Sequence, residues 1–188
     1  SSPFYEEHPE YLIGANGIAA YEGEKRPEAM QFFQDFSHEE VRLSRLEVLV
    51  EASERYDIAG FHYDFMRVPG YFKIGHEQEN ASLMTELICQ SRSELDRIGA
   101  RRGKPIGFAV RVPNTVAGAQ AIGLDVPTWI REELVDVVIP SCFFCTDFGA
   151  DMEEWVELAR DRSVRIIAGI EEAYMAGHTG NLDVSVLD

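Results

Sequence analysis

Four short apolar runs recur along the chain, and the stretches between them carry apolar residues at helical spacing. The runs are Ile58–Asp64, Lys104–Arg111, Leu134–Pro140 and Val164–Ile170. Consecutive parallel strands cannot be joined by a tight turn, so strands that alternate with helices mean a parallel sheet with helical crossovers. Leu134–Pro140 and Val164–Ile170 are almost unbroken in apolar residues, the pattern of strands covered on both faces.

The helical stretches have their own signals. Ser37-His-Glu-Glu40 has the S-x-x-E spacing of a capping box, and Val41, Leu46, Leu49, Val50 and Ser53 follow on one face, which predicts a helix over 38–55. Met84, Leu87, Ile88, Ser91, Leu95 and Ile98 predict a second helix over 78–99, stopped by Gly99 or Gly103. Shorter helices are expected over 126–133 and 151–161. Residues 1–36, broken by Pro3, Pro9, Pro27, Gly14, Gly17 and Gly23, read as an irregular segment ahead of a β/α domain over 37–188.

The spacing selects among parallel architectures. The last three strands start at intervals of about 30 residues, and a (β/α)8 TIM barrel of ~250 residues allots about 31 to each unit. A doubly wound sheet allows similar spacing, but its G-x-G-x-x-G signal is missing. Four strands are half of eight, so the expected fold is an incomplete TIM barrel with two open edges. Parallel edges invite pairing, which makes association of copies through them an expectation too.

Charge narrows the partners. With 33 Asp+Glu against 17 Lys+Arg the net charge is -16, and no basic stretch exceeds Arg101-Arg102-Gly103-Lys104. Nucleic acid and anionic membrane surfaces are therefore not expected as partners. No apolar run approaches the roughly 18 residues of a membrane span. No signal peptide is readable, and the compartment is left open, secretion or periplasmic export included. Cys89, Cys142 and Cys145 form no disulfide framework, and Cys142-Phe-Phe-Cys145 has neither a second pair nor a nearby His. Without H-x-H or H-E-x-x-H spacing, no metal or cofactor is expected.

In parallel β/α folds chemistry gathers at the carboxyl ends of strands. In the first run, alternation puts His62, Asp64 and Met66 on one face and Phe61, Tyr63 and Phe65 on the other, helix-facing one. Asp64 needs a partner there, and Arg67 and Arg111 are the candidates. The two arginines either pair with Asp64 or clamp an anionic sugar. Tyr71, in the loop after the first run, is a candidate wall for a sugar ring, and Asn114 and Ser141 at the next two strand ends are candidate hydrogen-bonding groups. Glu171 and Glu172 follow the fourth run, and parity leaves open which faces the site. Asp64 with Glu171 or Glu172 would make the carboxylate pair of a glycosidase acting on an oligo- or polysaccharide.

The segment Arg55-Tyr-Asp-Ile-Ala-Gly-Phe-His-Tyr-Asp-Phe-Met-Arg67 resembles the RYDvDGieLDFmR signature of glycosyl-hydrolase-like TIM barrels, relatives of glycoside hydrolase family 10. Asp35-Phe-Ser-His-Glu-Glu-Val-Arg42 is similar to their Dfs-pevR lead-in. Arg111-Val-Pro113, Leu134–Pro140 and Gly169-Ile-Glu171 sit where such proteins carry their fifth, sixth and seventh strand ends. The resemblance covers 35–172 and implies a carbohydrate-active protein whose readable strands are the fourth to seventh. It matches Asp64 to the strand-four acid and Glu171 to the strand-seven carboxylate. Ala59 and His62 stand where the signature has acidic residues, and Met66 where chitinase-like barrels have their proton donor. The alternative to an enzyme is a non-catalytic carbohydrate-binding or assembly module on a degenerate barrel.

Overall fold

A computed structural model describes residues 7–14, 33–66, 70–142 and 152–170. The elements run in chain order as α1 (Glu39–Arg55), β1 (Gly60–Asp64), α2 (Glu77–Arg102), β2 (Gly107–Pro113), α3 (Val116–Ala121), α4 (Val126–Arg131), β3 (Val137–Ser141), α5 (Met152–Leu158) and β4 (Arg165–Ile166). The strands form one sheet in the order β1-β2-β3-β4, every pair parallel. A further bridge, Ser141 to Gly169, prolongs the β3–β4 contact. The expected alternation of strands and helices is therefore present.

The sheet has one covered side. Phe108, Val110 and Val112 of β2 and Val138 of β3 are buried among Leu87, Ile88, Trp129 and Trp155 of the helices. Phe61 and Tyr63 pack against the same core, and Tyr63 Oη lies 3.1 Å from Ser91 Oγ of α2. The alternate residues His62 and Asp64 are exposed, and Ala109, Arg111, Val137 and Ile139 are half-buried. The described helices thus lie on one side, and the opposite sheet face, with strands expected to be covered twice, is open among the described residues.

Several element ends differ from the sequence reading for clear reasons. α1 begins after His38, which makes no side-chain cap, so the Ser37 box does not form. Asp35 Oδ1 accepts the Ser37 N–H at 3.0 Å instead, and Arg42 Nη1 donates to the carbonyls of Phe36 and Ser37. α2 runs three residues beyond its expected end, to Arg102, and stops at Gly103, whose φ of 68° suits a residue without Cβ. β1 ends at Asp64, so alternation ceases there and Met66 turns into the core at 6% exposure. Residues 9–14 and 33–35 of the irregular segment form a 3-10 turn and an antiparallel bridge, Leu12 to Gln34.

Trp155 fixes α5 to the end of β2, because its Nε1 donates to the Asn114 carbonyl at 2.9 Å while the ring is fully buried. Trp155→Phe keeps most of the packing but removes that hydrogen bond. Denaturant titration should show a loss of about 1–2 kcal/mol; unchanged stability would contradict the assignment.

Candidate functional site

Parallel register brings the candidate residues together. Asp64 pairs with Arg111, and Arg111 with Ile139, so all three stand at one level near the carboxyl ends of their strands. Both charged side chains point to the open face. Arg111 Nη1 lies 3.3 Å from Asp64 Oδ2, Nε donates to Ser141 Oγ at 2.6 Å, and Nη2 donates to the Cys142 carbonyl at 3.0 Å. One guanidinium therefore joins β1, β2 and the end of β3. Asp64 Oδ1 accepts the Met66 N–H at 2.8 Å, which fixes the carboxylate at the turn after β1.

Of the two arrangements open to Arg111, pairing with Asp64 is the one present. The Arg111 side chain is 16% exposed and that of Asp64 37%, so the pair is partly desolvated and one carboxylate edge reaches solvent. Ser141, expected as a hydrogen-bonding group for substrate, is 1% exposed and accepts from Arg111 Nε instead. Arg67, Glu171 and Glu172 lie outside the described residues.

His62 lies two residues before Asp64 on the same face. Burial against the sheet lowers its pKa, the positive charge of Arg111 lowers it further, and Asp64 pulls it up. The imidazole is therefore neutral at pH 7.

Tyr71 has a different place from the one its sequence position suggested. It is 7% exposed, packs edge-on against Phe36 and Phe65, and its hydroxyl donates to the Phe65 carbonyl. Phe72 is buried as well, at 3%. These rings brace the loop from inside and form no open wall. Burial, with Asp64 adding to it, pushes the Tyr71 phenol well above its ordinary pKa. Asn114 is half-buried at the end of β2, where its carbonyl holds Trp155.

Three depressions compete for attention, and one of about 450 Å³ runs along α1 beside Leu46, Val50 and Glu54. A cavity of about 140 Å³ reaches Asp64 from the α1 side, bordered by Arg45, Tyr63 and Tyr71, and it is smaller than the ~300–1,000 Å³ of most ligand pockets. A larger one of about 430 Å³ lies between α2, α3 and α4 and is lined by none of the candidate residues. Its Asp125 is the N-cap of α4, accepting from Thr128 N, so it reads as structural. The open face around Asp64, His62 and Arg111 is the better site. No three His, Cys, Asp or Glu residues gather as a metal cage among the described residues.

Two parts of the site carried no sequence signal. The Cys142 carbonyl acts through its backbone. Gly169 sits beside Ser141, and a Cβ placed on it would lie 2.6 Å from Ser141 Cβ. Comparison with family models and with curated proteins finds no match to this chain, so the resemblance rests on the quoted segments alone.

Two outcomes follow from this geometry. Gly169→Ala should push Ser141 off Arg111 and cost about 1–3 kcal/mol, with part of the loss recovered in a Ser141→Gly background. The same melting point for Gly169→Ala as for wild type would contradict the close approach. The His62 imidazole should titrate below the ordinary 6.5 when followed by NMR. A depressed folded pKa means that its contribution to stability is present above about 6.5 and is lost as pH falls through the folded value. His62→Gln should remove that part of the acid-side slope; a midpoint above 6.5 would refute it.

Proposed function

We propose that this chain carries the strand-four to strand-seven part of a (β/α)8 TIM barrel, and that it acts as a glycoside hydrolase. The barrel reading is supported by winding. Doubly wound sheets reverse their strand order and carry helices on both faces, whereas among the described residues the order does not reverse and the helices occupy one side. A singly wound parallel sheet closes by curling around its open face. The resemblance of 35–172 points the same way.

The hydrolase reading rests on Asp64. It is a carboxylate at the carboxyl end of a parallel strand, held by Met66 N–H and Arg111 and open to solvent on one side. A carboxylate paired with a guanidinium suits attack on an anomeric carbon, or activation of water, better than proton donation. The proton donor is then Glu171 or Glu172, which follow Ile170 in sequence. His62, neutral beside Asp64, supplies a hydrogen-bonding group for sugar hydroxyls.

One observation favours the second reading, a binding module without turnover. Among the described residues of the four strands, Asp64 is the only carboxylate on the open face.

Hydrolysis of a panel of aryl glycosides and polysaccharides separates the readings. The enzyme reading expects turnover that falls by about 10²–10⁴-fold in Asp64→Asn. Full activity in that variant would refute it. Sugar retained on a glycan array with no turnover by wild type would favour the binding module.

A further inference from the structure

Two buried polar side chains near the turn after β1 have no part in the proposed chemistry. One is the hydroxyl of Tyr71, 7% exposed, and the other the carboxylate of Asp35, 1% exposed. Burying such groups costs free energy unless they are partnered, so their partners show what each one holds.

Tyr71 Oη donates to the carbonyl of Phe65. That carbonyl and the Met66 N–H belong to one peptide unit, which is planar and points the two groups to opposite sides. The Met66 N–H in turn donates to Asp64 Oδ1 at 2.8 Å. Phenol, peptide and carboxylate therefore form one chain of hydrogen bonds. Such chains polarise along their length, because a carbonyl that accepts a hydrogen bond makes the N–H of its own unit a stronger donor. The other oxygen, Asp64 Oδ2, is met by Arg111 Nη1. Asp64 is thus held at both oxygens, by Arg111 from β2 and by Tyr71 through the peptide. Burial, with Asp64 adding to it, keeps the phenol pKa well above its ordinary value, so the donor proton stays in place at neutral pH.

Tyr71 is itself seated by the segment ahead of α1. Its carbonyl accepts the Phe36 N–H at 2.8 Å, and its ring meets Phe36 and Phe65 edge-on. Two residues further on, Lys73 Nζ lies 3.3 Å from Asp35 Oδ2, with His38 Nε2 at 3.9 Å from the same oxygen. Asp35 Oδ1 accepts the Ser37 N–H, and the Asp35 N–H donates to the Tyr11 carbonyl at 2.8 Å. The buried charge of Asp35 therefore ties 71–73 to the start of α1.

We infer that Tyr71 is a positioning residue for Asp64, acting through the peptide between Phe65 and Met66, and that the Asp35–Lys73 pair seats it. Its effect on turnover rests on the hydrolase reading above, whereas the hydrogen-bond chain does not. A carboxylate that attacks an anomeric carbon or activates water must be aimed, and small displacements of a reacting group cost rate. Tyr71 supplies that aim from the buried side of the turn.

Amide hydrogen exchange followed by NMR on the whole chain tests this. Tyr71→Phe keeps the ring and removes only the donor. The Met66 N–H should then exchange about 5–10-fold faster. The Phe65 N–H, bonded to the Arg111 carbonyl at 2.9 Å, and the amides of β2 and β3 should keep their wild-type rates. A loss of global stability alone would speed all of these together. Lys73 is 46% exposed, so Lys73→Met should fold and give a smaller rise confined to Met66, which Lys73→Arg should reverse. In glycoside hydrolysis, Tyr71→Phe should lower kcat by about 10-fold with KM little changed. An unchanged Met66 rate in Tyr71→Phe or in Lys73→Met, a rise shared by all the sheet amides, or a raised KM at full kcat would each overturn the inference. A wild-type chain without turnover would sink the hydrolase reading instead, and the Met66 rates would still decide the hydrogen-bond chain.

Discussion

Parallel pairing in chain order is the constraint on which the other features hang. Each strand must be re-entered from the same end, so each connection crosses the length of the sheet. The described helices of these crossings fall on one side, where Trp129, Trp155, Met84 and Leu95 are fully buried. The other side keeps the alternate residues. All four carboxyl ends also fall together, so residues from separate segments meet without any one segment being special.

Arg111 turns that arrangement into a site. A parallel sheet brings β1, β2 and β3 side by side but does not orient side chains at their ends. The guanidinium, itself on β2, does so through its planar fork, with a carboxylate on β1 and a hydroxyl and a carbonyl at the end of β3 as partners. Lysine has the charge without the fork and would not reproduce it. The space for Ser141 depends in turn on the missing side chain at Gly169. Burial is the main cause of the lowered His62 pKa, and the charge of the same guanidinium adds to it in a lesser way.

Much of this was legible in the sequence because it follows from periodicity. The long amphipathic helices and the order of the strands follow from apolar spacing. The placement of His62 and Asp64 opposite Tyr63 follows from alternation along β1. Other parts depend on tertiary context. Tyr71 follows Pro69-Gly70 and so looked like a loop ring, yet Phe36, Phe65 and the Phe65 carbonyl bury it. The Ser37 box yielded to Asp35, 1% exposed, which takes the Ser37 N–H and is met by Lys73 at 3.3 Å. α3, six residues with Thr115 as its cap, is too short to leave a period. Contacts made through a backbone carbonyl, as at Cys142, leave no residue-type signal at all.

The central claim is that Arg111 physically links the strand ends that make the site. A double-mutant cycle on stability with Arg111→Gln and Ser141→Ala tests it most directly. Residues in one hydrogen-bonded network couple by about 0.5–3 kcal/mol, and a coupling in that range is predicted here. Strictly additive effects would mean that the two side chains do not act on each other, and would contradict the account.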